Sequence, residues 1–156
     1  MKMKQYLIET FKYNDYANRK VLAKINELPN KDEGIKLFSH LINSMNKWVA
    51  RINQYPQAPK LDWWKPAYPE GELEERWNKC LKTWIDLLEG KGEEELFNEV
   101  RVVGDDGTHY ALKLKDIALQ LNYHSIHHRA NIQALIRGQG LEPDFVDYIG
   151  TVYKKL

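Results

Sequence analysis

Apolar residues recur along this chain at intervals of three and four over four long stretches, the spacing of helix faces turned toward a core. From about Lys4 to Leu28, the series Leu7, Phe11, Asn14, Asn18, Val21 and Ile25 alternates by four and three, with two asparagines set into an otherwise apolar seam. Pro29 then stops the helix. The second stretch spans about Asp32 to Tyr55, with Phe38, Leu41, Ile42, Met45, Trp48, Val49 and Ile52 on its apolar face and Pro56 and Pro59 beyond it. The third spans about Glu70 to Glu89 on Leu73, Trp77, Cys80, Leu81, Trp84, Leu87 and Leu88, with Gly90 suited to a C-terminal cap. The fourth runs from about Lys115 to Arg137. Between the third and fourth the period changes. Asn98 to Val103 and Thr108 to Leu114 flank Gly104-Asp105-Asp106-Gly107, a hairpin on a Gly/Asp turn.

This pattern predicts an all-α fold, a four-helix bundle with a small β-hairpin inserted between helices 3 and 4. A loop from Pro56 to Pro69 carries Trp63 and Trp64, a pair read as packing, and its length sits at the upper end of ordinary connections. The tail from Pro143 to Ile149 reads as a short helical turn closing the bundle.

Size and charge narrow the function classes. At 156 residues the expectation is one domain over 1–156, large enough to hold a core without disulfides. Twenty-three basic and 22 acidic residues leave a net charge of +1, no electrostatic footprint for nucleic acid. The single cysteine, Cys80, excludes an intramolecular disulfide and falls on the apolar stripe of helix 3 as a core thiol. The first twenty residues lack the apolar run of a signal peptide, and no stretch approaches a membrane span. A cytoplasmic protein is the expectation. P-loop, dinucleotide and nucleophile-elbow motifs are missing from the sequence.

The candidate chemistry lies in helix 4, at Asn122-Tyr123-His124-Ser125-Ile126-His127-His128-Arg129. The positions Ile117, Leu121, His124, His128, Ile132 and Leu135 form one core-facing stripe, so two imidazoles replace two core residues one turn apart. A neutral imidazole in an apolar seam needs a partner. Two readings stand at this point. One is a shared metal ion, because paired zinc ligands occupy the same spacing on helices. The other is a pair of core histidines hydrogen-bonded to polar neighbours such as Asn14 or Asn18. Those asparagines either orient imidazoles or fix helix register. His127 lies about 90° off the stripe, toward a neighbouring helix or a subunit boundary. His109 sits in the hairpin and reads as surface. His40 falls off the centre of the helix 2 apolar face, toward Ser44 and Leu37, and periodicity alone does not select it. Asp105-Asp106-Gly107 lacks the spaced ligands of a calcium loop and reads as turn chemistry.

Three segments of the chain resemble the DinB/YfiT-like superfamily of bacterial four-helix-bundle metalloenzymes. Tyr13-Asn14-Asp15-Tyr16-Ala17-Asn18 resembles its aromatic-Ala-Asn signature in helix 1. His40 followed by Trp48 resembles its lone-histidine motif in helix 2, and His124 to Ile132 resembles its H-x-x-H-H-R-G-Q-I pattern in helix 4. Ala130 and Asn131 depart from the Gly and Gln common there, and neither is a ligand position.

The resemblance implies a three-histidine metal site of His40, His124 and His128. It supplies His40, which the spacing could not, and prefers His128 to His127, as the stripe does. It implies a divalent transition metal, Zn or Ni foremost among the ions that imidazole suits. It also implies a small-molecule substrate, with activation of a low-molecular-weight thiol or water by a transferase or hydrolase, and a homodimer. The competing expectation is a non-catalytic metal-binding bundle with a structural or sensory role.

Overall fold

The structure is a computed structural model, and residues 1–155 are described. Four helices form it: α1 Met3–Glu27, α2 Asp32–Ile52, α3 Leu73–Glu89 and α4 Leu114–Gly138. Two strands, β1 Glu99–Val103 and β2 His109–Lys113, pair antiparallel between α3 and α4. The bundle with a hairpin inserted before its last helix is as the periodicity predicts.

Each helix forms where its apolar stripe meets another. All six seam positions of α1, the asparagines included, are buried. α4 packs between α1 and α2, and α3 contacts the same two helices. Aromatic residues fill the centre. Trp84 is fully buried, stacks on Phe11 with centroids 5.7 Å apart, and donates its indole N–H to the Met45 carbonyl at 3.0 Å. Trp77 lies against Phe38 and donates to Asp15 Oδ1 at 2.8 Å. Both indoles therefore bury their rings without orphaning a donor. Cys80 is among them, a core thiol, and burial pushes it up to about 12.

Three boundaries differ from the sequence expectation. α2 ends at Ile52 rather than Tyr55, because Gln54 takes φ 55° and the Tyr55 N–H returns to the Ala50 carbonyl at 2.9 Å. That left-handed stop comes ahead of Pro56, whose predecessor disfavours helix. α3 opens at Leu73, since Glu70–Glu72 winds as a 3₁₀ turn after Pro69. In the tail the helical turn is Tyr148–Thr151, later than expected.

The hairpin pairs Val103 with His109 and Glu99 with Lys113. Its turn closes with Gly104 N–H on the Thr108 carbonyl at 2.8 Å, and Gly107 at φ 81° supplies the backbone that other residues rarely adopt. Val102 is buried against α2, and β2 runs directly into α4. Of the described residues, no helix is long and apolar enough to cross a membrane.

The core makes a direct test. Trp84→Ala removes a large buried ring and its hydrogen bond, and chemical denaturation is expected to show a loss of about 3–5 kcal/mol. A loss under about 1 kcal/mol, the range of tolerated core swaps, contradicts this account of the packing.

Candidate metal centre

α2 presents His40, Ser44, Lys47 and Arg51 at steps of four, three and four, all buried. α4 presents His124 and His128 one turn apart on the face that meets α2. The facing stripes bring His40, His124 and His128 together. One ligand nitrogen from each lies within 4.8 Å of the other two. His40 Nε2 and His124 Nε2 are 2.9 Å apart, and the three ring centroids lie 4.4–4.9 Å from one another. Nitrogens sharing a tetrahedral ion at about 2.0–2.1 Å stand roughly 3.3 Å apart, a spacing compatible with this cluster.

The surroundings fix how these rings face. His40 Nδ1 lies 2.7 Å from the Trp63 carbonyl oxygen. A carbonyl only accepts, so Nδ1 carries the proton and Nε2 presents its lone pair to the other two histidines. This is the arrangement by which a ligating histidine is oriented through its other nitrogen. The Trp64 ring stacks on His40 at 3.8 Å and 8°. Ser44 Oγ lies 3.4 Å from His124 Nε2. His128 Nδ1 is buried without a hydrogen-bond partner.

Burial lowers all three histidines. For His124 it acts first, then the nearby His40 and His127, and the result is about 4. His128 also falls to about 4, by burial and then by His124, His40 and His127. His40 is lowered by burial, partly opposed by its bond to the Trp63 carbonyl. Near neutral pH the cluster is therefore three uncharged imidazoles, the form in which histidine binds metals.

A cavity of about 380 Å³ opens onto the cluster, walled by Trp48, Trp63, Trp64 and Leu121, with Ser44 and Gln120 as further polar groups. A larger cleft of about 480 Å³ beside the hairpin is lined by Arg51, Arg101 and His109 and holds no such cluster. His109 and His127 are exposed, as the sequence implies for His109. Asn14 and Asn18 do not reach the imidazoles. Both accept from Arg129 Nη1 at 2.8 Å, and Asn18 also donates to Ser125 Oγ at 2.9 Å. They hold α1 to α4 instead. The Trp63–Trp64 pair, read from sequence as packing, lines the cavity and holds His40.

Arg129 was not singled out by the apolar pattern. It is 2% exposed, and among the described residues no carboxylate lies within salt-bridge distance of it. Neutral oxygens of Asn14, Asn18, Ser125 and Tyr13 surround it. Burial lowers its pKa, opposed by Tyr13.

The DinB family model matches residues 1–155. The chain belongs to the DinB family. Membership and a three-histidine cluster compatible with metal binding are thus both in hand. No curated protein matches the chain. Within this DinB-family bundle the cluster joins the second helix to the fourth, and the Trp-bearing loop closes one side of it.

The lowered imidazoles set a pH dependence for the metal-free chain. His124 and His128 stay neutral in the folded state down to about pH 4, whereas their ordinary value is 6.5. Between those values the unfolded chain binds more protons, so stability rises with pH. It is fully present above pH 6.5 and lost as pH falls through about 4. Thermal melts of chelator-treated protein are expected to fall across this window, and less steeply in a His124→Gln/His128→Gln variant. Equal slopes for the two proteins would contradict the assignment.

Proposed function

We propose that this DinB-family chain is a metal-dependent enzyme. In this reading His40, His124 and His128 hold a divalent transition metal, Zn or Ni, and the reaction is transfer or hydrolysis with a low-molecular-weight thiol or water as nucleophile. The observation that carries the reading is a three-nitrogen cluster at the mouth of a cavity. Among the described residues no fourth histidine, cysteine or carboxylate joins it. Structural zinc sites take four protein ligands, whereas catalytic sites take three and keep a position open. The ion, when bound, supplies Lewis acidity that lowers the pKa of a coordinated thiol or water toward neutrality.

The chain's own groups support a small, largely apolar electrophile as substrate. Three tryptophans form the cavity walls and exclude water from the bound molecule. The Ser44 hydroxyl and Gln120 amide are placed to orient it by hydrogen bonds, and no carboxylate is among the lining residues. A homodimer in the cytoplasm is part of the same proposal. Tyr123 and Ile126 stand exposed on α4, and the one thiol, Cys80, is free.

Metal content after purification, followed by melts and thiol-transfer rates with and without the ion, tests the proposal. About one ion per chain is expected, as for a single three-histidine site. Removing it should abolish turnover with little change in melting temperature, and His124→Ala should reduce bound metal to background. A large loss of stability with no turnover on any thiol points instead to a structural or sensory bundle. Background metal in the unaltered protein removes the metal altogether.

A further inference from the structure

The hairpin turn reaches the histidine cluster through a single carboxylate. Asp105 Oδ1 accepts from Lys47 Nζ at 2.6 Å and from Arg51 Nη2 at 2.9 Å, both on α2. Its Oδ2 accepts the Trp63 indole N–H at 2.8 Å. The same tryptophan offers its carbonyl to His40 Nδ1 at 2.7 Å, and the next residue, Trp64, stacks on the His40 ring. Lys47 also donates to the Leu61 carbonyl, tying the loop to α2 two residues before Trp63. Lys47 Nζ lies 4.4 Å, and the Arg51 guanidinium 4.7 Å, from the centroid of the Trp63 ring. The loop over the cluster is thus held at Leu61 by Lys47 and at Trp63 by Asp105.

The electrostatics favour a firm joint. Lys47 and Arg51 are 1% and 8% exposed, and among the described residues Asp105 is the one carboxylate bonded to either. Burial alone would raise Asp105, but hydrogen bonds from Lys47 and Trp63 and the charges of Lys47 and Arg51 outweigh it, so it stays ionised. Charge-assisted bonds of this kind are about twice as strong as neutral ones.

We infer that Asp105 is a positioning residue for the metal centre, acting through Trp63 to fix the tautomer and ring orientation of His40. The inference rests on the metal reading of the cluster only for its second readout. Asp105 is itself neither a member of the cluster nor a lining residue of the cavity, and it reaches both through Trp63. Its effect passes from carboxylate to indole, along one residue of backbone to a carbonyl, and from there to the imidazole. The hairpin that interrupts the bundle thereby acquires a task in the site.

Two variants test this. Asp105→Ala removes the carboxylate. Trp63→Phe removes the indole donor while keeping an aromatic ring and leaves the Lys47 and Arg51 ion pairs to Asp105 in place, which covers the case in which Asp105→Ala fails to fold. The first readout is ¹⁵N NMR of the histidine rings in metal-free protein. The Nδ1–H signature of His40 is expected in the unaltered chain and averaged between tautomers in each folded variant. The second is Co²⁺ titration followed by its visible absorption. Affinity is expected to fall roughly 10- to 100-fold, with altered band positions, as for other residues that orient a ligating histidine. Asp106→Ala, in the same turn but bonded to Thr108, should retain both. A fixed His40 tautomer and unchanged Co²⁺ affinity in folded variants overturn the inference, even if melting temperature drops. If the unaltered chain binds no Co²⁺, the metal reading fails by itself, and the tautomer readout still decides the role of Asp105.

Discussion

Three uncharged imidazoles must share one dry seam, and the packing of α4 against α2 is what brings them there. Each ring replaces an apolar contact in the bundle, and each carries nitrogens that burial deprives of water. The chain meets this constraint by giving His40 a carbonyl on its outer nitrogen and gathering one nitrogen of each ring into a common cluster. The lowered pKa values of His124 and His128 follow from the same burial. A site built this way is neutral before any ligand arrives and has its lone pairs gathered.

The opposite face of α4 solves a different problem with the same helix. Arg129, next to His128, turns toward α1 and is held by asparagine, serine and tyrosine oxygens rather than by a carboxylate. A buried cation without an anion is costly unless its donors are satisfied. Here Asn14 and Asn18 accept it at the two polar positions of the α1 seam. The polar interruption visible in helix 1 and the arginine after the histidine pair are two halves of one contact. That contact sets how α4 is rotated, and so which of its residues face α2.

Much of this was legible in the pattern of the chain because it is local. The α1 seam, the α3 stripe, the Gly/Asp turn and the one-turn spacing of His124 and His128 all depend on residues a few positions apart. His40 required the family resemblance, since its helix buries nearly every side of residues 37–45 and the apolar face no longer marks a direction. Asp105, Trp63 and Lys47 were beyond reach for another reason. They lie 42 and 14 residues from their partners, in a loop and a turn with no periodicity, and only the docking of the hairpin on α2 brings them together. Turn chemistry explains why an aspartate sits at position 105 just as well as its long-range bonds do, so the sequence offered no reason to look further.

The indole stacked on His40 has a consequence of its own. Trp64 lies face to face with that ring at 3.8 Å, and Trp63 and Trp48 line the same hollow. Light absorbed there is emitted beside the three nitrogens, where an open-shell ion would drain an excited ring and a closed-shell ion would not. The bundle therefore carries its own optical gauge: nickel or cobalt entering the hollow would darken the emission of these three indoles, while zinc would leave it bright.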